Sequence, residues 1–200
     1  HAELFADEKK FPDDVLIELE KNHISLNSYD NIYDRIRELD ASIRIMLDPD
    51  RVNYTLFQSI PQGASVLECE NPEILMKSVK NDTEISNIKE AHLKDAVAHT
   101  KFMYWLKHVT ETDEAVTEIS ASDKLESFRA QQDGYLGASF APISAFKEHG
   151  AIVHYSATPE SNAALGKGGM LLTDTGGHYR EGSTDITRTV AIGEISEPEK

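Results

Sequence analysis

The chain has 200 residues, of which 40% are hydrophobic, and this is enough for the core of one large domain or two small ones. Its 35 acidic residues outnumber 20 basic ones, and a net charge of −15 argues against a nucleic-acid partner, because phosphate binding needs a basic patch. The single cysteine, Cys69, excludes an internal disulfide and fits a cytoplasmic protein, and no apolar run is long enough to span a membrane.

Residues 1–78 alternate short apolar runs with helical patterns, which predicts an α/β unit. The predicted strands cover residues 4–11, 24–26 and 42–47, and the predicted helices cover residues 12–19 and 32–39. Pro61-Gln62-Gly63 and Asn71-Pro72 indicate that the remainder is loop. We find no catalytic set of side chains in this part of the chain.

A long helix is predicted after residue 79, which we take as the domain boundary. Asn81 and Glu84 have the spacing of a capping box at its start. One face of this helix is predicted to be buried, and it carries Ile85, Ile88, Ala96, Met103 and Leu106.

A second helix is predicted from Thr117 to about Gln132, with Ile119, Leu125 and Phe128 facing inward. The acidic run just before it is expected to be a solvated helix end, and consists of Glu111, Asp113, Glu114 and Glu118. Strands are then predicted over residues 134–146 and 151–155. Two helices followed by an antiparallel meander predict an α+β fold for this half.

Asp174 and Asp185 lie eleven residues apart, each in a run typical of strands, with a glycine-containing turn between them. Rigidly held carboxylates are the ligands that hard divalent cations require. A turn near Glu181-Gly182 would not place the two aspartates opposite each other, so a bulge or close approach at Gly176-Gly177 would be needed. The alternative is a surface hairpin with two solvated aspartates.

Two histidines near this segment allow more than one interpretation. His154 ends the apolar run Ala151-Ile152-Val153 and is either a strand-end packing residue or a functional one. His178 lies between the two aspartates and could be a third ligand.

Four motifs in order give a family resemblance, and they comprise residues 79–85, residues 91–96, residues 150–155, and Asp174-Thr-Gly-Gly followed by Thr184-Asp185-Ile-Thr-Arg-Thr. Together they resemble the pita-bread metallopeptidases, and within that group the aminopeptidase P branch. The resemblance implies an α+β fold in which residues 79–200 form the N-terminal half of the pita-bread catalytic domain. It also implies that residues 1–78 are the C-terminal part of an α/β domain like the N-terminal domain of creatinase.

The same resemblance implies a site and a reaction. Asp174 would ligate one of two divalent metal ions, Asp185 would bridge both, and His154 would face the substrate. His178 matches a position that usually points away. The ions are expected to be manganese, with zinc or cobalt as alternatives. The reaction would be attack of a metal-bound hydroxide on the carbonyl of the bond before proline, which would release the N-terminal residue of Xaa-Pro peptides. The parent protein would be cytoplasmic and could form a homodimer.

Two other functions stay open. Prolidase, which cleaves only Xaa-Pro dipeptides, is the nearest enzyme alternative, and a metal-free pita-bread module that binds peptides or proteins is the other. Retention of Asp174 and Asp185 weighs against the second. The chain begins at His1 without methionine and ends at Lys200 just after the hairpin, so we expect it to be a fragment of a longer parent protein. One His and two Glu ligands would lie beyond it, and the fragment itself is expected to be inactive.

Overall fold

The computed structural model describes residues 2–109, 112 and 114–197. The chain divides into two compact units, with the division between Val79 and Lys80. No helix within the described ranges combines the length and apolar character needed to cross a bilayer.

The first unit alternates strands and helices, which confirms its predicted α/β character. Its strands are β1 (Ala2–Phe5), β2 (Ile24–Asn27), β3 (Arg44–Leu47) and β4 (Ser65–Glu68). Its helices are α1 (Asp13–Lys21), α2 (Ile32–Arg37), α3 (Tyr54–Gln58) and α4 (Pro72–Ser78). β1 pairs with β2 and β3 pairs with β4, both in parallel, as expected when helices connect successive strands.

Local capping changes two predicted boundaries in this unit. The first strand ends at Phe5 and not at residue 11, because the Asp7 side chain accepts a 3.1 Å hydrogen bond from the N–H of Lys9 and begins a short 3-10 helix. The segment after residue 47, which was predicted as loop, instead contains α3, β4 and α4. Asn71 caps α4 with Pro72 at its first position, which is a helix-start signal.

The second unit packs two helices on antiparallel strands. Its helices are α5 (Asp82–Val109) and α6 (Glu118–Arg129). Its strands are β5 (Tyr135–Ala138), β6 (Ile143–Phe146), β7 (Met170–Thr175), β8 (Gly177–Tyr179), β9 (Gly182–Ser183) and β10 (Ile186–Ala191). They form two antiparallel sheets of three strands, in the orders β10-β7-β6 and β5-β8-β9.

The N-terminus of α5 has the predicted capping box, since the N–H of Glu84 donates to Asn81 and the N–H of Asn81 donates to Glu84. The predicted buried face is wrong in part: Ile85 and Ala96 are exposed. The buried residues of the helix are instead Ala91, Asp95, Ala98, His99, Phe102, Leu106 and Val109. Two polar residues belong to this stripe, so a pattern based on apolar residues alone misplaces the face.

The core of the second unit lies between the helix pair and the sheet β10-β7-β6. Its buried members are Phe102, Leu106, Val109, Val116, Ala121, Leu125, Phe146, Leu171, Val190 and Ile192. The cluster has members from α5 and α6 and from all three strands of that sheet, and Ile192 directly follows β10. Burial of this apolar surface is the main stabilising term for the scaffold that carries the hairpin.

The predicted strand over residues 134–146 is two strands in different sheets. Pro142 lies between them and has no N–H to donate to a ladder. The N–H of Ser139 donates instead to the carbonyl of Gly176 at 3.0 Å, which ties the connection to the end of β7.

The predicted strand over residues 151–155 is absent. Residues Lys147–Ala151 form a 3-10 helix, and a turn follows in which His154 has a φ of +56°. The N–H of Tyr155 donates to the carbonyl of Ile152, so local bonds satisfy backbone groups that a strand would pair with a neighbour. Val153 is 82% exposed, so its apolar character is not used for burial within this chain.

Candidate metal centre

Asp174 lies on the central strand of the sheet β10-β7-β6. It lies in β7, opposite Thr187 of β10 on one side and Ile143 of β6 on the other. The hydroxyl of Thr187 donates a 2.8 Å hydrogen bond to one carboxylate oxygen of Asp174. Pairing on both edges and this hydrogen bond restrict the direction of the carboxylate, as a metal ligand requires.

Asp185 lies just before β10, outside the strand in which it was predicted, and its side chain is exposed. The last pair of the β7–β10 ladder joins Thr175 to Ile186. Asp185 is two residues before Thr187, and side chains two apart point to the same side of extended chain. Asp185 therefore lies on the side that Asp174 faces, displaced from it along the hairpin.

A close approach at Gly176 makes this arrangement possible. A Cβ atom there would lie 2.0 Å from the carbonyl oxygen of Thr184 and 2.3 Å from the hydroxyl of Ser139. The predicted close approach at a glycine is thus confirmed. The bulge expected at Gly176-Gly177 is not what aligns the aspartates, because the β7–β10 register is regular and the chain passes at Gly176 from one sheet to the other.

Asp174, Asp185 and His154 line one cleft of about 400 Å³. The remaining lining residues are Phe140, Ala141, Ile143, Tyr155 and Ser156. His154 reaches the cleft from the turn after the 3-10 helix, where its φ is positive and the chain changes direction. The prediction that it lies at a strand end is therefore wrong. His178 lies in β8, is exposed, and has Nδ1 2.6 Å from the hydroxyl of Ser183; it is not among the residues that line the cleft.

The donors of the cleft fit a hard divalent cation, though only in part. Two carboxylates on one wall supply the oxygen ligands that such ions prefer, and their mutual repulsion would be relieved by a cation. Within the part of the chain that the structure describes, no group of three or more His, Cys, Asp or Glu side chains could hold a metal ion. Asp174 and Asp185 thus fit as part of a ligand set.

A buried ion pair lies beneath the segments that carry Asp174 and Asp185, and the sequence analysis did not predict it. Arg129 of α6 donates to Asp95 of α5 through Nε at 2.6 Å and Nη2 at 3.2 Å. Thr184 and Tyr179 donate to the same carboxylate. Burial alone would raise the pKa of Asp95, but the hydrogen bonds from Arg129 and Thr184 outweigh it and the pKa is lowered.

A second buried carboxylate, Glu118, corrects a prediction. Glu114 is exposed as expected for a solvated helix end, and Glu111 and Asp113 lie outside the described residues, but Glu118 has no exposed surface. It accepts hydrogen bonds from the N–H groups of Phe146 and Ala163 and from the hydroxyl of Tyr155. Burial by itself would raise the pKa of Glu118, but these bonds together with the His149 contact outweigh it, so the pKa is lowered.

Glu118 bears on the cleft because Tyr155 is the neighbour of His154. The Tyr155 hydroxyl lies 2.9 Å from Glu118, and the ring of Tyr155 stacks on that of His149 at 4.5 Å between centroids. The turn that carries His154 is therefore anchored to α6. One signal in the sequence was available, since Thr117 fits the N-cap position and puts Glu118 in the first helical turn, but burial could not be deduced from it.

Comparison with known proteins gives the same assignment over the whole chain. Residues 86–200 match the model of metallopeptidase family M24, and residues 1–84 match the creatinase/prolidase N-terminal domain. Xaa-Pro aminopeptidase 1 of Dictyostelium discoideum is 37% identical over 98% of this chain and 31% of its own length. Xaa-Pro aminopeptidase ApepP of Drosophila melanogaster is 33% identical over 98% of this chain and 32% of its own.

A solved structure supports the fold. The X-prolyl aminopeptidase of Caenorhabditis elegans, described as a cytosolic enzyme with a di-nuclear active site, superposes with a TM-score of 0.90. It is 27% identical, and the match covers 98% of this chain and 33% of that one. The chain thus spans about a third of the length of the relatives it matches.

Proposed function

The chain belongs to metallopeptidase family M24, and from that premise we propose that its parent protein is a metal-dependent exopeptidase acting on Xaa-Pro peptides. It would release the N-terminal residue when proline is second. The observation that carries the proposal is the meeting of Asp174, Asp185 and His154 at one cleft of a chain with this family match. The relatives named as Xaa-Pro aminopeptidases support the substrate class.

We propose that Asp174 ligates one divalent cation and that Asp185 bridges two. The ions, when bound, would supply an activated water and polarise the scissile carbonyl. Thr187 would hold Asp174 in the direction needed for ligation through its 2.8 Å hydrogen bond. The other ligands, one His and two Glu by family resemblance, would come from outside these 200 residues, in keeping with the incomplete donor set of the described part of the chain.

His154 would contact the substrate and not the metal. Its place at the cleft, on a turn anchored through Tyr155 to Glu118, suits a hydrogen-bond donor aimed at the oxygen on which negative charge develops. Such a group contributes through its position, which an anchored turn keeps fixed.

Manganese is the proposed cation, because carboxylate oxygens with one imidazole suit Mn²⁺, and zinc and cobalt are the alternatives to test. A cytoplasmic location is proposed in keeping with the C. elegans enzyme described as cytosolic. The net charge of −15 argues against nucleic acid as a partner.

The deciding experiment is hydrolysis by the purified parent protein with added Mn²⁺. An Xaa-Pro-Xaa tripeptide should be cleaved at its first bond, a matched Xaa-Ala-Xaa tripeptide should resist, and a chelator should abolish cleavage until metal is restored. Cleavage confined to the Xaa-Pro dipeptide would indicate prolidase. Peptide binding without turnover or metal would indicate the metal-free module, and either result overturns the proposal.

A further inference from the structure

The neighbours of the two aspartates point away from the cleft. Thr175 follows Asp174 and is 2% exposed, and Thr184 precedes Asp185 and is 3% exposed. Successive side chains in extended chain alternate between two sides. Each candidate ligand on the open side is therefore paired with a threonine on the buried side, and moving either threonine would move the backbone of its aspartate.

Both threonines bond to the same buried ion pair. Arg129 donates from Nη2 to the hydroxyl of Thr175 at 3.0 Å, and the hydroxyl of Thr184 donates to Asp95 at 2.6 Å. Arg129 and Asp95 are themselves joined by two hydrogen bonds and have 1% and 0% of their surface exposed. Asp95, Arg129, Thr175 and Thr184 thus form one chain of contacts, which we call the threonine clamp.

The clamp lies where the backbone ladder stops. Thr175 and Ile186 form the last pair of β7 with β10, and Gly176 begins the passage to the other sheet. Beyond that point the β7–β10 ladder ends, and one backbone bond joins the two segments, from the N–H of Thr184 to the carbonyl of Gly177 at 2.9 Å. The clamp adds side-chain bonds from two helices, α5 and α6, to this single backbone link.

A buried ion pair is a weak source of stability, because desolvation offsets most of its attraction. The Asp95 carboxylate and the Arg129 guanidinium are planar groups joined by two bonds, so their relative orientation is restricted. Thr175 and Thr184 bond to the two ends of this pair, so its orientation restrains the backbone segments that carry Asp174 and Asp185. Small displacements of ligating carboxylates matter because a di-metal site tolerates little error in ligand position.

We propose that the threonine clamp is a positioning device for the metal centre, which sets the separation of Asp174 and Asp185 from behind the hairpin. The proposal rests on the proposed function, since it assumes that the two aspartates ligate metal. None of the four clamp residues is among those that line the cleft. Their effect passes through the backbone that they share with the ligands.

The test uses the parent protein, with Thr175→Val as the first variant. Valine keeps the shape of threonine and removes the hydroxyl that accepts from Arg129. Thr184→Val removes the other end of the clamp together with the hydroxyl that accepts from the N–H of Gly177 at 2.9 Å, and Thr184→Ser keeps both bonds. Both valine variants should bind Mn²⁺ about 10- to 100-fold more weakly by calorimetry, the range seen when groups that orient metal ligands are removed. The electron paramagnetic resonance signal of a coupled manganese pair should weaken in parallel.

Tyr179→Phe is the matched control. It removes another hydrogen bond to Asp95, of 3.2 Å, from a buried residue that is not adjacent to either aspartate. Tyr179→Phe and Thr184→Ser should both bind Mn²⁺ within about threefold of the wild type, and the melting temperature of each metal-free protein reports on stability separately. If Thr184→Val does not fold, Thr175→Val decides alone.

Two results overturn the clamp. One is wild-type Mn²⁺ affinity with an unchanged coupled signal in both valine variants. The other is a loss in Tyr179→Phe as large as in the valine variants and in proportion to its melting temperature, which indicates general destabilisation. Failure of the proposed function looks different: Asp185→Asn would then bind Mn²⁺ as the wild type does.

Discussion

Asp174 and Thr187 face each other across the β7–β10 ladder, and the hydroxyl of Thr187 donates a 2.8 Å hydrogen bond to the Asp174 carboxylate. The acceptor is a candidate metal ligand and the donor is exposed. Hydrogen bonds of this kind orient ligands and tune their affinity for the ion. The strand register that places Thr187 opposite Asp174 therefore also sets the direction of a candidate metal ligand.

Thr187→Val in the parent protein should weaken Mn²⁺ binding by about 10-fold or more, because Asp174 loses the donor that orients it. Calorimetric titration of the metal-free protein measures this. Thr189→Val is the matched control, since Thr189 is also exposed on β10 but lies opposite Leu172. Equal affinities in the two variants would contradict a role for Thr187.

Asp185→Asn and His154→Ala should separate a ligand from a substrate contact in the parent protein. Asp185→Asn should abolish metal binding and activity together, because a neutral amide cannot bridge two cations. His154→Ala should keep its metal and lose about 10²–10³ in kcat, the scale for one oxyanion-stabilising donor. Metal analysis beside steady-state kinetics measures both, with Asp133→Asn at an exposed turn as a control for loss of charge.

The assignment of His154 fails on either of two results. Loss of metal in His154→Ala would make the histidine a ligand. Full activity in that variant would make it a residue with no part in the reaction.

The 200-residue chain by itself should bind Mn²⁺ only weakly and should not cleave Xaa-Pro peptides. Among its described residues the two aspartates have no third ligand beside them. Calorimetry with Mn²⁺ and a chelator-controlled peptide assay measure these two properties. Tight stoichiometric uptake, or turnover that a chelator stops, would show that these residues suffice.

Gly176→Ala should strongly destabilise the second unit, because the added Cβ would lie 2.0 Å from the carbonyl oxygen of Thr184. Forced repacking of this kind costs about 1–3 kcal/mol or more. Chemical denaturation followed by fluorescence of Trp105, the only tryptophan and a residue packed on the core, measures it. Gly166→Ala is the control, since nothing lies within 4 Å of its Cβ, and it should leave the free energy of unfolding nearly unchanged.

Acid should destabilise the second unit through Glu118, whose pKa is lowered in the folded state. A lowered pKa means that the folded state favours the ionised form, so its stabilisation is full above the ordinary pKa of about 4.3 and is lost as pH falls through the folded value. Urea unfolding at pH 7 and at steps below pH 4.5 should show this loss.

Glu118→Gln tests the source of that pH dependence. The variant should lose about 1.5–3 kcal/mol at pH 7, the scale of hydrogen bonds to a charged group, and should depend less on pH in the acid range. Glu114→Gln, at an exposed glutamate nearby, should follow the wild type. An unchanged acid slope in Glu118→Gln would assign the loss to other carboxylates, Asp95 first.

Features that depend on near neighbours in the chain could be predicted from the sequence. The capping box of Asn81 and Glu84, the α/β alternation of the first unit and the close approach at a glycine after Asp174 all follow from residues a few positions apart. The family resemblance added the site, because its motifs carry Asp174, Asp185 and His154 together. The resemblance did not supply the local conformation of His154.

The buried polar contacts could not be predicted from the sequence, because they join residues that are far apart in the chain. Asp95 and Thr184 are 89 positions apart, and Glu118 and Ala163 are 45 apart. Patterns that locate a core use apolar residues, so a buried carboxylate is assigned to the surface, as Glu118 was. Burial of a charge becomes favourable only when its partners converge from other elements, and that convergence is a property of the fold.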